Sequence, residues 1–323
     1  MFSIVIPFMH FFSRKTYNFF YWLFHKPLGI IVIRSFTSQR GGEIVNFNLG
    51  DDLNFYMLGV LARKKIMNFN SMRRFRLPIT HYTCIGSVYE WCVDSSSIVW
   101  GTGSMYGGSK KMSSPKEIHA VRGPLTRKVL LENAIPCPEV FGDPALLLPL
   151  VYSPQVRKKY KVGIIPHFVD YDLSNVRAFC EKYKDEVLLI RMQGYSDWKK
   201  VIEDICSCEK IISSSLHGLI ISDAFNIPNV WILLSDNVKG NNFKYLDYFG
   251  SVERNDTQPV DLRDKEIKLD LINKSLSLYL PVKIDVSKLI ESCPFLSDNK
   301  KRELLKKASR YYVERFIQQK TVV

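Results

Sequence analysis

Acidic residues are missing altogether from the first 42 positions of this 323-residue chain, which carry five bases instead: Arg14, Lys15, Lys26, Arg34 and Arg40. Long apolar runs are missing too. A membrane-spanning helix needs about 18 or more apolar residues in a row, and Arg14-Lys15 and Lys26-Pro27 cut the early runs short. No basic start, apolar centre and small-residue cleavage site mark a secretory signal. The seven cysteines have no paired metal-ligand spacing, and Cys206-Ser-Cys208 is too tight for a zinc knuckle. An odd, scattered set fits a reducing cytoplasm better than a disulfide framework. There is no Walker loop, nucleophile elbow, helix-turn-helix, RNA-binding aromatic motif or zinc finger. Apart from two similar halves there is no internal repeat.

What is present is charge and aromatic surface. The net charge of +13 favours anionic partners such as phosphorylated metabolites or lipid headgroups rather than nucleic acid, whose motifs are lacking. Residues 1–40 read as a segment lying among headgroups, with Tyr17, Tyr21 and Trp22 at the interface and the bases on phosphates, or alternatively as a core helix and edge strand of the first domain. Globular patterning is expected from about residue 41. A strand over 43–47, a turn over Asn48–Asp52 and a helix over 53–62 open a first Rossmann-like domain (41–152). Strands at 82–85, 97–100 and 117–121 and a helix at 124–133 continue it. The pattern restarts after a linker at 152–154. Strands at 160–166, 186–190, 210–212 and 229–234 alternate with helices at 173–183, 196–206 and 219–225, giving a second Rossmann-like domain (153–295). Alternation of this length implies parallel sheet. Residues 296–323 hold a basic amphipathic helix over 298–319. Leu304, Leu305, Ala308, Tyr311, Tyr312 and Phe316 fall at helical spacing, to pack on a domain or to face a membrane.

Turns after strands carry the polar groups. In Ile211-Ile-Ser-Ser-Ser-Leu-His-Gly218 a strand ends, serines turn, and a helix begins with His217 near its amino end. Such a junction offers free N–H groups and partial positive charge to an anion. Pro166-His167-Phe-Val-Asp170 and Leu189-Ile-Arg191-Met-Gln193 stand after neighbouring strands. In the first half, Gly50 suits a tight turn, while Asp51 and Asp52 read as helix caps or bases. Asp143-Pro144 reads as a turn device or a base.

Asn48-Leu-Gly-Asp-Asp-Leu-Asn54, Val121-Arg-Gly-Pro-Leu-Thr-Arg127, Phe141-Gly-Asp-Pro-Ala-Leu-Leu147, Val162-Gly-Ile-Ile-Pro-His167, Ser213-Ser-Ser-Leu-His-Gly218 and Phe243-Lys-Tyr-Leu-Asp-Tyr-Phe249 together resemble signatures of the polysaccharide pyruvyl transferase family, in order, over about residues 41–250. The resemblance implies a GT-B-like fold of two Rossmann-like domains facing a cleft. It implies transfer of pyruvate from phosphoenolpyruvate to two hydroxyls of a sugar, with no metal and no cofactor beyond that co-substrate. Family members that bind phosphoenolpyruvate commonly show Arg-Leu-His where this chain has Ser215-Leu216-His217, so the missing charge falls to Arg122, Arg191 or Lys244. The implied catalytic residues are His217, His167, Asp51 and Asp52. The implied donor contacts are Arg122, Arg191, Ser214, Ser215, Leu216, Gly218 and Lys244, and the acceptor contacts Asn48, Asn54 and Asp143. The expected setting is the inner face of the cytoplasmic membrane, with a lipid-linked saccharide of a bacterial surface polymer as acceptor. A glycosyltransferase using a nucleotide sugar and a non-catalytic membrane adaptor are the alternatives.

Overall fold

A computed structural model describes residues 14–25, 29–40, 43–44, 48–69, 79–108, 111–277 and 279–320. Expectations placed on residues 1–13, 26–28 and 45–47, and on the side chains of Arg14, Lys15, Tyr17, Arg40 and Phe316, lie outside the described residues. The first half contains α1 (Arg14–His25), β1 (Ile31–Ile33), the short antiparallel pair β2 (Gln39–Arg40) and β3 (Glu43–Ile44), and α2 (Leu49–Ala62). It continues with β4 (Ile66–Asn68), β5 (His81–Thr83), α3 (Tyr89–Cys92), β6 (Ser97–Trp100), β7 (Glu117–Ala120), α4 (Pro124–Glu132) and α5 (Leu148–Val151). The second half runs β8 (Tyr160–Ile165), α6 (Ser174–Lys182), β9 (Val187–Leu189), α7 (Trp198–Cys206), β10 (Cys208–Ser213), α8 (Leu216–Ala224), β11 (Asn229–Leu233), α9 (Phe243–Ser251) and β12 (Val260–Asp261). Helices α10 (Leu269–Leu276), α11 (Ser287–Glu291) and α12 (Asp298–Lys320) close the chain.

Among the described residues two five-stranded parallel sheets result, ordered β4-β1-β5-β6-β7 and β12-β11-β10-β8-β9. Their strands read as apolar runs because helices cover both faces. In the second sheet, for example, Ile211 pairs with Gly163 and Ile212 with Ile164, and both isoleucines are fully buried. The orders contain the feature that places the site. In the first sheet the chain leaves β1 for β4 on one side and returns to β5 on the other. In the second it leaves β8 for β9 and returns to β10. Loops leaving the carboxyl ends at such a reversal diverge and open a crevice.

Three expectations are corrected. Globular packing begins well before residue 41: β1 is an interior strand, with Ile31 opposite Ile66 and Ile33 opposite Tyr82. Trp22, expected among headgroups, is 9% exposed and packs with Val32 and Met67, with Tyr21 against the same cluster. Burial of so large a ring against the sheet outweighs a headgroup contact. Helix α2 starts at Leu49 rather than Leu53, so Gly50, Asp51 and Asp52 form its first turn rather than a separate turn.

The second domain's expected end at residue 295 also shifts in meaning, because the chain recrosses to the first half. Trp100 Nε1 donates to Leu289 O at 3.0 Å, and the Phe295 ring meets Tyr82 and Trp100 edge-on. Helix α12 then bridges both halves. Tyr312 Oη donates to Leu146 O at 2.6 Å and Tyr311 Oη to Ala224 O at 3.2 Å, while Leu304 and Ala308 are buried. The apolar face of its described part therefore packs on the protein rather than facing a membrane. One buried apolar cluster includes Leu53 and Trp100 from the first half and Ile211, Leu219 and Trp231 from the second.

Candidate active site

Both strand reversals open on the same cleft, of about 200 Å³. From the first half come Phe36, after β1, Gly86, Ser87 and Val88, after β5, Met105, and Asn48 and Asp51 at the head of α2. From the second half come His167, Phe168 and Tyr171, after β8, Met192 and Gln193, after β9, Ser215, Leu216 and His217 at the head of α8, and Lys244 in α9. The walls are joined directly. Leu49 N–H donates to Met192 O at 2.8 Å, and Tyr195 Oη donates to Asp52 Oδ2 at 2.6 Å.

The two adjacent aspartates have different tasks. Asp52 is fully buried; Oδ2 also accepts from Asn48 N–H at 2.8 Å and Oδ1 from Thr37 Oγ1 at 2.7 Å. Its bonds close the start of α2, tie that helix to the segment after β1 and join the two halves. Asp51 lines the cleft and accepts from Asn48 Nδ2 at 2.9 Å. Burial, reinforced by the neighbouring Asp52 charge, pushes its carboxyl up to about 7, against the Asn48 hydrogen bond. A carboxylate poised there suits a general base.

His217 is 14% exposed, and its ring lies against Gly50 across the interface. A Cβ at position 50 would overlap Nδ1 and meet Cγ and Cε1 at 2.8 Å. The glycine is needed for this close approach, not for a turn. Burial, then the positive charges of Arg122 and Lys244, lower His217 to about 3. His167 is lowered to about 4 by burial and by Lys244, and its backbone N–H donates to Ser214 Oγ at 2.8 Å. Lys244 is 5% exposed, with Nζ 5.2 Å from the Tyr245 ring centre, and burial and Arg122 lower it to about 8. A desolvated ammonium beside the amino end of α8 favours an anion between them.

The remaining sequence candidates take supporting places. Arg122 is fully buried and does not line the cleft. Its Nε donates to Asp247 Oδ2 at 2.9 Å, Nη2 to Ser104 O at 2.7 Å and Nη1 to Ser87 Oγ. Asp247 also accepts from Thr126 N–H and Oγ1, both at 2.7 Å, which pins α9 to α4 and so holds Lys244 in the cleft. Arg191 is exposed and lies 5.3 Å from the centre of the Tyr171 ring, at the rim. Asn54 ties α2 to the β5 loop, donating to Asp51 O and Ile85 O and accepting from Ile85 N–H. Ser214 is buried, accepting from His167 N–H and donating to Asp170 Oδ2 at 3.3 Å. Gly218 packs against Ser213 Oγ and Ile165 behind the cleft. Asp143 is fully buried beside His217 rather than in the cleft wall.

Sequence reasoning missed Phe36, Ser87, Met105 and Tyr171. Phe36 and Ser87 follow β1 and β5, and only the strand order shows that these loops flank a crevice. Among the described residues no group of three or more His, Cys, Asp or Glu could hold a metal ion.

The family model described as polysaccharide pyruvyl transferase matches residues 97–236. The chain is 29% identical over 280 residues to an uncharacterised protein of Acanthamoeba polyphaga mimivirus, covering 82% of this chain and 88% of that protein. It is 32% identical over 209 residues to the succinoglycan biosynthesis protein ExoV of Rhizobium meliloti strain 1021, covering 62% of this chain and 60% of that protein. The family match contains Arg122, Asp143, His167 and His217, whereas Gly50, Asp51 and Lys244 lie outside it.

Proposed function

We propose, from the match of residues 97–236 to the polysaccharide pyruvyl transferase family model, that the cleft moves pyruvate from phosphoenolpyruvate onto two hydroxyls of a sugar, forming a cyclic ketal in polysaccharide biosynthesis. One observation carries this reading: Lys244 and the amino end of α8, with His217 on it, face Asp51 across a cleft shared by both halves. Phosphoenolpyruvate bears about three negative charges near neutral pH, which a buried ammonium and helix N–H groups suit. Lys244 takes the place of the arginine expected at Ser215. His217 supplies a proton to the methylene carbon, whose π electrons form the new C–H bond and leave C2 electrophilic. A sugar hydroxyl attacks C2 while Asp51 accepts its proton, that proton departs with the phosphate, and the second hydroxyl closes the ring. His167, held neutral by burial, lies on the donor side.

The finer setting is part of the proposal. The two sheets are read as the halves of a GT-B-like enzyme. The acceptor is read as lipid-linked and the enzyme as working at the inner face of the cytoplasmic membrane. The support is the +13 charge and the exposure of Leu23 (46%) and Phe24 (51%) on α1. No described helix is long and apolar enough to cross a membrane.

Phosphoenolpyruvate is expected to raise the melting temperature, because a ligand held only by the native state stabilises it by about 2.7 kcal/mol at 100 times Kd. Differential scanning fluorimetry checks this. A shift with nucleotide sugars and none with phosphoenolpyruvate would select a glycosyltransferase instead. Lys244 gives the pH dependence. Its ammonium is present below about 8, so donor affinity should hold up to that pH and weaken above it. Lys244→Arg should move the weakening to higher pH. Lys244→Ala should raise the donor KM at least about 10-fold, the size of a lost charge-assisted contact, with the acceptor KM unchanged. Donor binding indifferent to pH between 7 and 10 would remove Lys244 from the donor site.

A further inference from the structure

Behind the cleft two buried polar atoms, Asp143 Oδ2 and His217 Nε2, face one another at 3.7 Å, and neither has a hydrogen-bond partner among the described residues. Asp143 is fully buried and sealed from the cleft. Its other oxygen accepts from Ala145 N–H at 2.9 Å, capping the 3-10 turn Pro144–Leu147. Leaving a buried polar group unsatisfied is costly, and two that face each other are relieved together by one shared proton. We propose that Asp143 and His217 hold one transferable proton between them, that Asp143 stores it, and that the proton given to the donor leaves from Nδ1 of His217. This rests on the pyruvyl transfer reading and adds a positioning residue to it.

The geometry selects the nitrogen. Nε2 points at a sealed carboxyl, so it cannot meet a ligand. The nitrogen left is Nδ1, which lies beside Gly50, between the cleft-lining Asn48 and Asp51 in sequence. A separation of 3.7 Å exceeds a direct hydrogen bond by about 0.5–1 Å, and catalytic contacts commonly tighten when substrate binds.

Protons and electrons balance. Before reaction Asp143 is a carboxylic acid with its O–H toward Nε2, and His217 carries hydrogen on Nδ1. Nδ1 releases its proton to the methylene carbon, whose π pair forms the C–H bond. Nε2 then takes the proton from Asp143 Oδ2, leaving a carboxylate beside a neutral imidazole. The proton freed when the second hydroxyl closes the ring runs the couple back to its start.

The electrostatics agree. Burial raises Asp143 to about 7, against the Ala145 N–H and the Arg122 charge. The same burial, with Arg122 and Lys244, holds His217 far below the usual imidazole range. The proton of the couple therefore resides on the carboxyl side, and a free imidazolium is not the acid.

Asp143→Asn tests this in the full chain. Asn keeps the oxygen that caps Ala145 and turns an NH2 toward Nε2, so the ring stays oriented but no proton can be relayed. In ligand-free protein at neutral pH, the wild-type-minus-variant infrared difference should contain a protonated carboxylic acid band. Nitrogen-15 NMR should find His217 protonated on Nδ1 in both proteins. A carboxylate band at position 143, or hydrogen on Nε2 in the wild type, would overturn the proposal. Neither spectroscopic measurement requires turnover, so both stand even if phosphoenolpyruvate proves the wrong donor. In turnover, kcat should fall roughly tenfold or more with both KM values unchanged. A variant with normal kcat overturns the relay, and a raised acceptor KM would make Asp143 an acceptor contact instead.

Discussion

His217→Gln is expected to leave the fold intact and to lower turnover by about 100-fold or more, the usual worth of a positioned general acid. The fold should survive because the ring is not a structural tie. Nε2 has no hydrogen-bond partner within normal distance among the described residues, and the helix that carries it is anchored by Leu219, Ile220 and Ile221, all fully buried. Glutamine fills similar space without a proton to transfer at neutral pH. Phosphate release in the presence of phosphoenolpyruvate and acceptor measures the loss, with circular dichroism as the check on folding. A folded variant with near-normal turnover would exclude His217 as the acid and move the test to His167.

Gly50→Ala should be almost as damaging, by about 100-fold in kcat, although residue 50 carries no chemistry. The added Cβ would overlap Nδ1 and crowd Cγ and Cε1 at 2.8 Å, so the ring must leave its place. Gly50 sits in the first turn of α2, where alanine is the better helix former by up to about 1 kcal/mol. Activity and stability should therefore separate: a melting temperature equal to or near wild type, with turnover nearly gone. The double variant Gly50→Ala/His217→Gln should be little worse than His217→Gln alone, because both remove one function. Additive losses would show that Gly50 acts through something other than the histidine.

The two predictions differ in how visible their residues were. His217 was legible because a strand end, a serine turn and a helix start occur within eight residues, and local pattern suffices for such a junction. Gly50 was visible as a glycine but misread, since turn and close-approach glycines look alike until the neighbour is known. Asp51 and Asp52 were inseparable in sequence. Only the partners Thr37 and Tyr195, respectively 15 and 143 positions from Asp52, make that residue structural and leave Asp51 in the cleft.

Strand β1 failed for a similar reason. A three-residue apolar run beside aromatic, acid-free sequence has no period that distinguishes a headgroup segment from the middle of a sheet; its neighbours β4 and β5 decide. Lys244 and Arg122 were both plausible anion clamps by charge. Asp247 decides between them: it holds Arg122 in a buried ion pair away from the cleft wall and, by pinning α9, leaves Lys244 facing the cleft.

The sequence by itself determined the strands from β5 to β11, the parallel pairing their alternation with helices implies and the junction that carries His217, while β1, β4 and β12 were settled only by the fold. Each follows from local periodicity, turn chemistry and apolar runs within a few dozen residues. Tertiary structure alone decided which loops share a cleft, which of two aspartates is free, and that Asp143 stands behind His217 at 3.7 Å. Those outcomes depend on strand order and on burial by distant segments. Strand order is set by contacts across the whole chain, and burial shifts a carboxyl or an imidazole only after those contacts have excluded water.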